Sequence, residues 1–200
     1  MTTPTNRTWV ISDTHLGHKN IVVYEPMRKA WGEDARVMTE TMIYAWQDRV
    51  KSTDTVIHVG DFAFGTVEVR SEFRRRLPGK LILVLGNHDT SVVNVKKWIK
   101  DEDEVHPRYK VQHGDGFVQF IHNPSDYTLA DANNSVLLVH GHTHSSKYRH
   151  MVPEVDAKLR CACVEMLPGP GPMLLDEFLN RDRDVPFPEM ARLERVRAAM

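Results

Sequence analysis

The chain has 200 residues, 41% of them hydrophobic, and a formal net charge of −1 at pH 7. That is enough apolar material for one full core, with two smaller domains a distant second, and too little charge for a general attraction to phosphate backbones or anionic membranes. A Thr- and Pro-rich start and the lack of any apolar run long enough to span a bilayer set the expectation of a soluble, cytoplasmic protein with no membrane partner.

Eleven histidines are the compositional anomaly. Imidazole is the commonest metal ligand, so such an excess asks for a site. In chain order, Thr8-Trp9-Val10-Ile11-Ser12 reads as a first strand and runs into Asp13-Thr14-His15. That tripeptide places a hard oxygen and a borderline nitrogen on one side of an extended backbone. Taken alone it is weak, and Asp13 as a helix cap is the plainer reading. Residues 17–34 are irregular. Met38, Met42, Ala45, Trp46 and Val50 then recur at helical spacing as a core-facing stripe. Thr55-Val56-Ile57-His58-Val59 is a second buried strand ending in Gly60-Asp61, and a crossover of this length suits parallel strands.

A further helix is expected from Val67 to Leu77, closed by Pro78-Gly79. The run Arg74-Arg75-Arg76 in its last turn suits the helix dipole better than it argues for phosphate binding. Leu81-Ile82-Leu83-Val84-Leu85 is an unbroken apolar run, a central strand that delivers Gly86-Asn87-His88-Asp89 to the sheet rim where ligands of open α/β sheets sit. Val92, Val95 and Ile99 mark a helix, and Asp101-Glu102-Asp103-Glu104 is read as a solvated acidic turn.

Tyr109–His113 and Phe117–Ile121 flank Gly114-Asp115-Gly116 as a hairpin. His113 falls at its turn and His122 at the carboxyl end of its second strand, so the rim argument selects His122. Ser135–Val139 is another strand and runs into His140-Gly141-His142-Thr143-His144, whose alternate histidines share one side when extended. A last strand from about Leu159 to Leu167 carries Cys161 and Cys163 on one face, as buried thiols rather than a disulfide or a thiolate metal pair. Pro168–Pro172 is a stiff loop. The tail over residues 181–200 is charged, with Met190, Leu193, Val196 and Met200 as a sparse helical stripe that could dock on the domain or, as a homodimer, on a second copy.

Five strand ends in succession thus carry Asp13/His15, Asp61, Asn87/His88, His122 and His142/His144. Oxygen and imidazole donors without thiolate suit Mn²⁺, Fe or Zn²⁺ better than Ca²⁺ or an iron–sulfur cluster. Seven donors exceed what one ion takes from protein, whereas two ions about 3.5–4 Å apart that share a carboxylate use them economically.

This set of motifs resembles the calcineurin-like metallophosphoesterase superfamily over residues from about 8 to 165. It is most similar to small single-domain phosphoesterases of bacteria and their phages, given Ser12-Asp13-Thr14-His15-Leu16-Gly17-His18-Lys19-Asn20 and Gly60-Asp61-Phe62. The resemblance implies a four-layer α/β/β/α sandwich of the metallo-dependent phosphatase type, with a single domain over residues 1–180. It implies that Asp13, His15 and His144 hold one metal, that Asn87, His122 and His142 hold the other, and that Asp61 bridges them. His88 is then not a ligand but faces the leaving-group oxygen or a non-bridging phosphoryl oxygen. Mn²⁺ is favoured, with Fe, Zn²⁺ or Ni²⁺ as alternatives. One departure is Asn123-Pro124 after His122, where relatives often carry Tyr-Pro or Gly; the ligand survives but the pocket wall beside it changes.

Such ions would neutralise phosphoryl oxygens and acidify a water in line with the ester bond, and His88 would stabilise the transition state or protonate the departing alkoxide. His18, in the loop leaving the first strand, is a candidate substrate contact; His58 is read as a strand residue and His140 as an orienting neighbour. With no long insertion for a cap or nucleic-acid-binding domain, the expected substrate is a small phosphodiester such as a cyclic nucleotide, and long nucleic acid is disfavoured. The alternatives are a phosphomonoesterase, a nuclease acting on short nucleic acids, and a catalytically silent binding scaffold of the same fold. The scaffold should have lost ligands, and none is missing. A histidine-rich metal store would not need Asn87 or Asp61.

Overall fold

In the computed structural model, which describes residues 7–181, the apolar runs become strands of two sheets. The elements are β1 (Thr8–Ile11), α1 (Ile21–Tyr24), α2 (Ala35–Arg49), β2 (Thr55–His58), α3 (Val67–Arg76), β3 (Lys80–Val84), α4 (Val92–Val95), β4 (Glu104–His106), β5 (Tyr109–His113) and β6 (Gly116–Phe120). They continue with α5 (Leu129–Asn133), β7 (Leu137–His140), α6 (Pro153–Lys158), β8 (Leu159–Cys161), β9 (Met173–Leu174) and α7 (Leu175–Leu179).

The first sheet has the order β4-β3-β2-β1-β9, with β1 to β4 parallel and β9 antiparallel at the edge. The second has the order β5-β6-β7-β8, in which the hairpin β5–β6 is antiparallel and β6, β7 and β8 run parallel. Ile11 lies beside His58 and His58 beside Leu83, so the carboxyl ends of β1, β2 and β3 are level.

Alternation along β6 and β7 decides the layering. Val118, Phe120 and Val139 join one core with Val10, Ile11, Ile57 and Leu83 of the first sheet and with Met38, Met42 and Trp46 of α2. Leu138 and Leu159 face the other way, into a second cluster with Ala132 of α5 and Val155 of α6. Side chains of period two thus serve two cores, and the result is the expected α/β/β/α sandwich. Gln119, on the outer face between Val118 and Phe120, is buried and donates to Asp131 of α5 at 2.8 Å.

Several stretches depart from their sequence readings. The acidic segment 101–104 is not simply solvated: Asp103 has a fully buried side chain that accepts from Arg74 Nε and Nη2 at 2.6 and 2.7 Å, and Glu104 opens β4 and pairs with Lys80. Arg74 also donates to the carbonyls of Leu77 and Gly79, which makes it an internal strut. Arg75 and Arg76 pair with Glu72 and Glu40. The helix expected through Ile99 ends at Val95, after which Trp98 is buried and stacked 5.1 Å from Phe62.

The strand expected up to Leu167 stops at Cys161, because the chain there leaves β7, bridges Ser12 through Cys163 and closes into a 3-10 turn over Val164–Met166. Both cysteines are free; Cys163 is buried and Cys161 half-buried. The short elements β9 and α7 had no periodic signal long enough to read. The charged tail beyond Arg181 lies outside the described residues. Among the described residues no helix is long and apolar enough to cross a membrane.

Candidate metal centre

Backbone hydrogen bonds carry the strand ends past the sheets and sew the two sheets together. Asp13 N donates to Gly60 O at 2.9 Å and His15 N to Asp61 O at 3.1 Å within the first sheet, while Gly141 N donates to His122 O at 3.0 Å in the second. Across the seam, Val164 N donates to Ser12 O at 3.0 Å. Six described residues other than glycine have positive φ, and five of them are Asp13 (56°), His15 (47°), Asp61 (58°), His142 (69°) and His144 (49°). A left-handed backbone costs about 1–2 kcal/mol at an L-residue, and such strain persists where the surroundings over-determine it, as at functional sites. Gly86 and Gly141 are spacers: a Cβ on the first would collide with the Asp61 carboxylate, and on the second with Ser12 and the Asp13 carboxylate.

Each carboxylate turns one oxygen toward imidazole. Asp13 Oδ2 receives the Cys163 thiol at 3.3 Å, the His142 amide at 3.0 Å and the Ser12 hydroxyl at 2.5 Å. Its Oδ1 shares the His142 amide at 3.1 Å and stands 3.7 Å from His15 Nε2 and 3.6 Å from His144 Nε2. Asp61 Oδ1 accepts the His88 amide at 2.9 Å, leaving Oδ2 3.6 Å from His15 Nε2 and 3.4 Å from His122 Nε2. Asn87 Oδ1 lies 3.1 Å from His122 Nε2 and 2.9 Å from His142 Nδ1. All seven expected ligands are therefore together on one rim.

The field of the cluster follows from that packing. Burial works against the Asp13 charge, but His15, His122 and His144 outweigh it and hold the carboxyl well below its usual range. Burial likewise opposes charge on Asp61, and His122 lowers it overall. Burial disfavours imidazolium at His122 and His144, yet Asp61 and Asp13 raise the first to about 9, and Glu165 with Asp13 raises the second to about 9. The carboxylates thus demand positive charge beside them.

The donor set fits divalent cations. Two groups, Asp13 with His15 and His144, and Asp13 with Asp61 and His122, have ligand atoms within 4.8 Å of one another. Neither ring nitrogen of buried His15 has a hydrogen-bond partner. An orphaned buried imidazole is costly unless something else takes its lone pair. Donors sharing an ion at about 2.0–2.2 Å lie about 3–3.5 Å apart, close to the separations here.

Behind the donors stands a support that sequence reasoning missed. Glu165 Oε1 lies 2.9 Å from His144 Nδ1 and accepts from Arg28 Nε at 2.7 Å; Arg28 and Glu165 are both fully buried. Arg28 also donates to the carbonyls of Thr14 and Asp13, at 2.9 and 2.5 Å. A lone carboxylate inside the apolar run from Ala162 to Leu167 was the available signal for Glu165, whereas Arg28 had none. Val59 O stands 2.7 Å from His122 Nδ1, which turns Nε2 inward. Buried Asp89 accepts from the amides of Asp61, Phe62 and Gly86 at 2.8, 3.1 and 2.9 Å and so shapes the Asp61 turn.

The mouth is formed by Asn87, His88 and His142, all exposed, while Asp13, His15, Asp61 and His122 lie beneath. His88 Nε2 is 4.0 Å from Asp61 Oδ2, at the edge of the donor set. His18 sits to one side against Phe64, with ring centroids 4.2 Å apart. His58 is buried in β2, where burial lowers its pKa to about 3, and its Nε2 lies 2.9 Å from Thr14 Oγ1. His140 Nδ1 lies 2.8 Å from Gly141 O, within the turn that presents His142. His113 pairs with Gly116 at the far end of β6 from His122.

The model of the calcineurin-like phosphoesterase superfamily domain matches residues 7–160. Among curated proteins, the chain is 28% identical over 144 residues to the uncharacterized protein MJ1445 of Methanocaldococcus jannaschii, covering 69% of each chain. It is 25% identical over 166 residues to the Gene 66 protein of Mycobacterium phage L5, covering 70% of this chain and 78% of the relative. Among solved structures, the protein of unknown function AQ665 from Aquifex aeolicus superposes with a TM-score of 0.67 at 25% identity, over 86% of this chain and 97% of that one.

Proposed function

Because the chain belongs to the calcineurin-like phosphoesterase superfamily, and so to a family of metal-dependent phosphoester hydrolases, we propose that it hydrolyses small phosphodiesters at a dinuclear centre, with Mn²⁺ as the favoured ion. Asp13, His15 and His144 would hold one cation and Asn87, His122 and His142 the other. The observation that carries the dinuclear reading is the single atom Asp61 Oδ2, within 3.6 Å of His15 and 3.4 Å of His122, which suits a shared ligand. When bound, the two cations supply Lewis-acid neutralisation of the phosphoryl oxygens and lower the pKa of an attacking water.

The chain's own groups do the rest. Asp13 and Asp61 are held ionised and aimed by their neighbours, so the donor geometry is set before substrate arrives. His88, exposed at the mouth and fixed through its amide to Asp61 Oδ1, reaches the ester oxygen side, where it can donate a hydrogen bond or a proton to the leaving oxygen. Support for a diester over a monoester comes from charge. Arg28, the arginine bonded into the ligand shell, is turned onto Glu165 and two carbonyls, leaving imidazoles and an amide at the mouth, a setting that suits a singly charged phosphate.

The test is turnover by the Mn²⁺-loaded protein of bis(4-nitrophenyl) phosphate, 4-nitrophenyl phosphate, cyclic nucleotides and short oligonucleotides. Diesters, cyclic nucleotides included, should lead in kcat/KM; a lead for 4-nitrophenyl phosphate would replace this reading with a phosphomonoesterase.

A further inference from the structure

Beside the ligand cluster lies a recess of about 280 Å³ lined by Gly17, His18, Lys19, Asn20, Phe64 and Gly65, and no metal-binding role uses it. Rings line its path to the site. Phe64 lies 4.9 Å from His88 on one side and 4.2 Å from His18 on the other, the latter pair nearly perpendicular. It also lies 5.4 Å from His15. Tyr24, 67% exposed, continues the row 6.0 Å from His18. A single exposed aromatic needs no explanation, but a partly buried Phe and an exposed Tyr leading toward the position where chemistry occurs do.

We propose that this recess is a subsite for a nucleobase carried by the phosphoester, stacked on Phe64 and flanked by Tyr24, with the phosphate beside His88. The assignment rests on the phosphoesterase reading above and names the substrate class within it. Aromatic faces accept any base, because every base has a π face. Asn20 and Lys19 on the rim supply polar groups for the edge of a base, which a plain aryl group does not use. The volume lies just under the roughly 300–1,000 Å³ of typical small-molecule pockets, so one base fits and a run of nucleotides does not.

The experiment compares two probes that share a sugar and a phosphate and differ in the base, adenosine 5′-monophosphate and ribose 5-phosphate, with benzyl phosphate as an aromatic control, each titrated calorimetrically into the Mn²⁺-loaded protein. The nucleotide should bind about 10-fold more tightly, the effect of one stacked base. Phe64→Leu should bring the ratio close to one with both metals retained, and Tyr24→Ser, at an exposed position that folding tolerates, should lower it by a smaller factor. Equal affinities for the two probes in the unaltered protein would overturn the subsite while leaving the phosphoesterase reading intact. Failure of both probes to bind would overturn the subsite, while the diester panel described above decides the phosphoesterase reading separately. An unchanged ratio in both variants would place the base elsewhere, and benzyl phosphate binding as tightly as the nucleotide would replace the nucleobase with any aromatic group.

Discussion

Arg28 and Glu165, 137 positions apart in the chain, meet as a fully buried ion pair directly behind His144. The pair leaves His144 Nδ1 facing a carboxylate and Nε2 facing Asp13, the arrangement that orients ligating imidazoles and raises their basicity.

Removing either partner should therefore cost stability, and removing Glu165 should cost metal affinity as well. Arg28→Met leaves a buried carboxylate without its cation and should destabilise the protein by about 3–5 kcal/mol. Glu165→Gln keeps the shape but leaves buried Arg28 without its anion, so it should also lower stability and in addition weaken Mn²⁺ binding by about 10–100-fold. Thermal melts and calorimetric titration measure the two effects. The double variant should melt above Arg28→Met, since it no longer buries a lone charge; a double variant no better than the single one would contradict the pairing.

Asp61 Oδ2 faces imidazoles of both donor groups. Asp61→Asn should accordingly lose more metal than His15→Ala, because a shared carboxylate also screens the repulsion between two cations. Metal content by mass spectrometry decides this, and full double occupancy in Asp61→Asn would rule out the bridging role.

For His88 the expected signature is kinetic. His88→Ala should keep two metals and lose kcat with a smaller change in KM, as for an interaction realised mainly in the transition state. Nitrophenolate leaves unaided, whereas a ribose alkoxide needs a proton, so the loss on a cyclic nucleotide should be larger, by about 10²-fold or more. Equal losses would indicate pure charge stabilisation, and unchanged turnover on both substrates would exclude any role.

Asp54, far from the metal centre, gives a pH dependence of stability. Burial pushes its pKa up, but the Lys51 amide, the Trp9 indole at 3.0 Å and the Arg7 amide outweigh that and lower it overall. A carboxylate with a depressed folded value stabilises above the unfolded value of about 3.9, and the contribution is lost as pH falls through the folded value. Asp54→Asn should cost about 1.5–3 kcal/mol near pH 7 and progressively less below about pH 4. Urea melts at several pH values would show the two curves converging in acid; parallel curves would refute the linkage.

The strands around the site were legible because each is an apolar run that stops at a polar residue, and level parallel strands put their ends in one place. His122 was separable from His113 by that rule alone. What escaped was long-range pairing. Asp103 looked like one of four solvated acids until Arg74, 29 positions away, was seen to bury it. Arg28 sits in an irregular stretch whose local pattern says nothing about Glu165. The left-handed backbone at five ligand positions was also hidden, since the usual mark of positive φ is glycine, and aspartate and histidine carry it here.

The seam between Ser12 and Cys163 sets an order of assembly. The first four ligands, Asp13, His15, Asp61 and Asn87, come from a sheet that is contiguous in sequence through His106 apart from its edge strand β9, and the last three come from the second sheet. A chain emerging from the ribosome holds four of the seven donors until residues 109–161 have been made and docked, so the complete centre matures only after the second sheet. Tight cation capture thereby reports that both halves of the sandwich have closed.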